Sequence, residues 1–156
     1  MTGNEGTIWV LVVDGAHARV VVPMPRRQFR TVTSFDAPGA HRLPGDVAAT
    51  DRSGRASDGA MAERQAIEPR VDPKRAAKQE FLRYVAAQVN AAATAGQFGH
   101  LVLVAPVAAL RVLREALEPH VASRVSGALA KDIVKVADSD LPEHLMAFWR
   151  PPAERP

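Results

Sequence analysis

The segment VLVVDGAHARVVV, Val10 to Val22, sets two β-branched runs back to back with only Asp14 and Gly15 at the break between them. Branching at Cβ restricts side-chain rotation in a helix and suits a pleated strand, and so short a gap leaves room only for a tight antiparallel hairpin. Asp-Gly is the composition expected of a primed turn, whose central residues take positive φ. Strands over Thr7 to Val13 and Ala16 to Val22 follow. On the second, His17 and Arg19 stand two apart and so share a face, which predicts a small polar surface patch. An acid and an imidazole this close also make Asp14 and His17 a candidate hydrolytic pair.

The next run, RQFRTVTSF, alternates Phe29, Thr31, Thr33 and Phe35 against Gln28, Arg30, Val32 and Ser34, the period of a third strand. A three-strand antiparallel meander therefore opens the chain. From Asp36 to Asp72 the composition turns to Gly, Pro, Asp, Arg, Ser and Ala without apolar period, which predicts a long mobile loop. Asp72 and Pro73 then supply the cap and first turn of a helix whose apolar positions run through Ala77, Phe81, Tyr84, Val85, Val89 and Ala92 to a stop at Gly96 or Gly99. HLVLVA reads as a strand covered on both faces, and Pro106 opens a second helix with Leu110, Leu113 and Leu117 on one side. Pro119 breaks it, Val121 to Arg124 form one more turn, and Val125 to Ala130 make a last strand. A final helix starts near Asp140, with Asp140 and Glu143 as a capping box and Leu141, Leu145 and Phe148 or Trp149 buried. The order βββ, loop, αβαβα predicts a mixed α+β sheet with helices on its faces, an order that resembles ribonuclease H-like topology.

Composition narrows the chemistry. Among 156 residues there is no cysteine, so disulfides, thiolate nucleophiles and sulfur-bound zinc are excluded. MTGNEG carries no basic residue and the apolar run Ile8 to Val13 is too short for a secretory core or a membrane span, so the expectation is a cytoplasmic protein with no membrane association. The net charge of +3 is spread along the chain rather than gathered in a block. Asp14 is the only acid on the first hairpin and its flanking strands, too few for a two-metal nuclease, and His17, His41, His100, His120 and His144 show no HExxH spacing. No G-x-S-x-G elbow or GK[ST] phosphate loop is present. No metal or cofactor is expected. In the loop, Arg52, Arg55, Arg64 and Arg70 alternate with Asp51, Asp58, Glu63 and Glu68, which reads either as a self-paired solvated segment or as arginine forks that order on phosphate.

Taken in order, WVLVVDGAHARVVV, DRSGR, DPKRAAKQEFLRYVAAQVNAAATAGQFGHLVLVAPVAALRVLREAL and AKDIVKVADSDLPEHL resemble the bacterial host attachment proteins, those required for attachment to host cells. The resemblance covers nearly the whole chain and implies one domain over residues 1–150, with a disordered tail at 151–156. That family is distantly similar to the central domain of eukaryotic and archaeal peptide-chain release factors and of Pelota, where a loop leading into a long helix carries Gly-Gly-Gln. The matching loop here, Asp36 to Asp72, contains SDGAMAERQ and no Gly-Gly-Gln, and Gln65 has no glycine beside it. The resemblance implies a non-catalytic protein that binds, with Asp14, His17, Arg19, Asp51, Arg52, Gly54 and Arg55 as the candidate binding surface. The alternative it implies is a translation-associated factor whose partner is the ribosome or tRNA. Edge strands and the Ala-rich helix leave oligomeric state open.

Overall fold

A computed structural model describes residues 6–39 and 72–146 of the chain. Five strands form one mixed sheet in the order β3-β2-β1-β4-β5. β1 (Ile8–Val13), β2 (His17–Met24) and β3 (Gln28–Asp36) are the antiparallel meander, while β4 (His100–Ala105) and β5 (Val125–Ala130) add in parallel. Among the described residues four helices connect or follow these strands: α1 (Pro73–Thr94), α2 (Val107–Ala116), the single turn α3 (Pro119–Ala122) and α4 (Leu141–Leu145). The predicted element order is therefore the observed one.

Every residue of β1 is buried because both faces of the sheet are covered. Trp9, Leu11 and Val13 point into a core closed by Phe81, Leu82, Val85 and Val89 of α1 and Leu113 of α2. Ile8, Val10 and Val12 point into a second core closed by Ile133, Val134, Leu141 and Leu145 of the C-terminal segment. Alternation along one strand thus feeds two layers, as the period of a pleated strand requires.

α1 is capped as its sequence predicts. The Asp72 carboxylate accepts from the Lys74 and Arg75 amides, and Pro73 occupies the first turn, where its missing N–H costs nothing. At the other end Gly96 takes φ +76°, its N–H donates to Ala93 O, and the Gln97 N–H donates to Ala92 O, a Schellman stop. Asn90 ties α1 to the end of α2, donating to Ala116 O at 3.3 Å and accepting from the Glu118 N–H at 3.0 Å.

Two local expectations are overturned. Neither Asp14 nor Gly15 has positive φ; the left-handed pair is Arg26 (φ 67°) and Arg27 (φ 59°), at the β2–β3 connection. The first turn needs no such backbone because the Asp14 carboxylate itself closes it, accepting from the Ala16 and His17 amides at 2.8 Å each. The Asp140 capping box does not form either. Asp140 ends a 3-10 turn, Asp138–Asp140, that runs straight into α4, so its backbone is already helical and its side chain makes no cap bond. Phe148 and Trp149, the long loop beyond Gly39 and the tail lie outside the described residues.

Candidate functional site

The hairpin turn, the end of β3 and the starts of α1 and α2 meet at the carboxyl end of β1. Asp14 is half-buried and serves the turn through the two amide bonds already described, while its own N–H donates to His17 O at 2.9 Å. His17 is paired in register with Asp36 across β2 and β3, and its Nδ1 lies 2.8 Å from Asp36 Oδ1. The His17 side chain is only 5% exposed. A dyad of this kind orients a ring, and here it also locks the first turn to the far end of the meander.

Arg19 is buried on the opposite face of the sheet from α1. Its guanidinium donates to the Val136 carbonyl and lies 3.9 Å from Asp138, while Nε has no partner among the described residues. Burial lowers the Arg19 pKa from its ordinary value, and the Asp138 charge opposes that shift. Asp138 also accepts from the Thr31 amide at 2.9 Å and the Thr31 hydroxyl at 2.6 Å. Arg19 and Asp138 thus clasp the C-terminal segment to the second face. The expected exposed patch of His17 and Arg19 is not there, since both side chains are buried. Asp51, Arg52, Gly54 and Arg55 lie outside the described residues.

An open cleft of about 480 Å³ lies beside the hairpin turn, between α1 and α2. Its location follows from topology. β1 leads into β2 on one side and β4 leads through α2 to β5 on the other, so the chain leaves these two adjacent parallel strands in opposite directions, the arrangement found at the ligand crevices of open α/β sheets. Gly15, just after β1, and Pro106, just after β4, both line the cleft. Its floor is apolar, from Leu82, Ala109 and Val112, and its rim is cationic, from Arg75, Lys78, Arg83 and Arg111. Glu115 is the one acid on the lining among the described residues.

Gly15 is needed here for space. A Cβ at this position would stand 2.6 Å from Lys78 Cγ and 2.8 Å from Lys78 Cδ, so the lysine stem lies directly against the turn. Sequence reading missed this cluster because the charges are diluted along the chain. The available signal was the spacing of Arg75, Lys78 and Arg83 along α1, which brings them to one side of the helix, but Arg111 joins them only through packing. Among the described residues no three His, Asp or Glu side chains gather to hold a metal ion, and no helix is long and apolar enough to cross a membrane.

Comparison with known proteins bears on the fold and the family. A search of curated protein sequences finds no match. Among solved structures, the archaeal translation termination factor aRF1 superposes with a TM-score of 0.50 at 10% identity, covering 93% of this chain and 35% of that one. A second archaeal protein superposes with a TM-score of 0.50 at 12% identity, covering 95% of this chain and 35% of its own length. The chain thus spans about a third of the length of these structures, and at such identities the likeness is one of fold. The family described as "Protein required for attachment to host cells" matches residues 9–145, from β1 to the end of α4, and the chain belongs to that family.

Proposed function

We propose that the protein acts by binding, in the cytoplasm, and that it influences attachment to host cells indirectly, through gene expression or translation. The observation that carries this reading is the cationic rim of the cleft. Arg75, Lys78, Arg83 and Arg111 converge on it, and none forms an ion pair with a described carboxylate. Cations gathered around a concave surface attract phosphate and other dense anions.

A translation-associated role is the second reading, favoured by the fold shared with an archaeal translation termination factor. In that reading the ribosome or tRNA is the partner, and Arg52 and Arg55 add contacts from the loop. It does not extend to peptidyl-tRNA hydrolysis, since the chain has no Gly-Gly-Gln.

Co-sedimentation with ribosomes over a series of salt concentrations tests the second reading. Binding that weakens steeply with salt, and whose salt slope falls in Arg52→Ala/Arg55→Ala or Arg75→Ala/Arg83→Ala variants, supports it. No co-sedimentation at low salt removes it. Affinity capture from extract, with RNA and protein both identified, tests the broader one, and finding the protein on the cell surface would overturn its cytoplasmic part.

A further inference from the structure

We infer that the cleft between α1 and α2 is a binding site for a nucleoside 5′-phosphate, free or at the end of an RNA strand. This deepens the reading of the cleft as an anion-binding surface and rests on it. Three independent features of the cleft lead there.

The first is the cost of its charge. α1 carries Lys74 and Arg75 in its first turn, beside the Asp72 carboxylate that caps the helix and answers its dipole. Lys78 and Arg83 follow on the same helix, and Arg111 faces them from α2. Cations that face one cleft repel one another in the free protein, and a bound phosphate relieves that repulsion.

The second is preorganisation. The Lys78 stem lies against Gly15, whose missing Cβ is what lets it approach, and this brings the lysine to the turn side of the cleft. α2 begins at Pro106 without a side-chain cap, so its first-turn amides, on the cleft's other wall, meet no side-chain acceptor among the described residues. Backbone amides fixed by a helix lose less freedom on binding than flexible side chains do.

The third is the floor. Leu82, Ala109 and Val112 present apolar surface beneath the cations. Bare phosphate would leave that surface wet, whereas a base or ribose covers it while the phosphate meets the rim. A volume of about 480 Å³ suits one ring system with its phosphates. An extended acidic peptide would satisfy the rim but not use the floor.

The test is titration calorimetry on the full chain with ATP, AMP, adenosine, inorganic triphosphate, an oligoglutamate peptide and a short RNA carrying either a 5′-phosphate or a 5′-hydroxyl. Tighter binding of ATP or AMP than of adenosine and inorganic triphosphate assigns a free nucleotide. Preference for the 5′-phosphorylated RNA, with mononucleotides silent, assigns an RNA end. In either case the Lys78→Gln/Arg111→Gln variant, altered only at exposed positions, should bind about tenfold more weakly with an unchanged melting temperature. No binding of either class, equal binding by inorganic triphosphate or oligoglutamate, or an unaffected variant overturns the inference. Ribosome co-sedimentation of wild type and variant is run in parallel. If it persists where no nucleotide or RNA end binds, the site assignment falls and the ribosomal reading stands; nucleotide binding without co-sedimentation gives the converse.

Discussion

Removing the Asp138 carboxylate should destabilise the protein more than any other change to a partly exposed side chain described here. In Asp138→Ala the Thr31 amide and hydroxyl lose the acceptor they reach at 2.9 and 2.6 Å, and Arg19 loses the carboxylate 3.9 Å away. A hydrogen bond to a charged group is worth about 1.5–3 kcal/mol net when buried. Asp138 retains 36% exposure, so water replaces part of each bond, and the pair together contributes about 2 kcal/mol. The Arg19 side chain is only 9% exposed, so it is left as a cation with little access to water, which adds about 1 kcal/mol more. A loss of about 3 kcal/mol against the roughly 5–15 kcal/mol of a typical domain is readable in urea unfolding as a midpoint shift of about 1–2 M. Asp138→Asn keeps an acceptor for Thr31 and should lose about half as much. Adding Arg19→Met to Asp138→Ala should recover part of the loss, because the unpaired buried cation goes with it. A shift in Asp138→Ala corresponding to less than about 0.5 kcal/mol, or a double variant whose losses simply add, would refute the clasp.

Three further outcomes are expected. Arg26→Asn with Arg27→Gly relieves two side chains held at positive φ and should stabilise the protein by about 1 kcal/mol, seen as a higher melting temperature. Gly15→Ala forces the Lys78 stem aside; because that stem is flexible, stability should fall by less than about 1 kcal/mol while anion binding in the cleft weakens, a split that calorimetry and thermal melting together reveal. Leu141→Ala empties a fully buried position in the second core and should cost about 2–4 kcal/mol in denaturant unfolding, with the C-terminal amides losing protection from hydrogen exchange first.

The order of elements, the meander, the cap at Asp72 and the stop at Gly96 were all legible from sequence, because each depends on periodicity or on a hydrogen bond spanning a few residues. The hairpin at Asp14 and Gly15 was read correctly as a turn and wrongly as a primed one. Either backbone suits Asp-Gly, and the side-chain bonds from Asp14 to the Ala16 and His17 amides select between them. At Arg26 and Arg27 the left-handed backbone carries no compositional mark at all, since the strands on either side impose it.

Sequence by itself therefore determined that a tight turn falls at Asp14 and Gly15, that β4 is buried on both faces, and that His17 and Arg19 stand two apart on one strand. Only the tertiary structure decided what those polar groups meet. The Arg19 partner Val136 is 117 residues further along the chain, and Thr31 reaches Asp138 across 107. The cleft has the same origin, because Gly15, Lys78 and Arg111 belong to three separate elements. Local propensity acts over a turn of helix or a strand's width, whereas burial and charge clustering depend on which distant segments the sheet brings to one end. A side chain that looks exposed and chemical in the sequence can thus become part of the scaffold, and lysines and arginines that look like ordinary solvated surface can become the site.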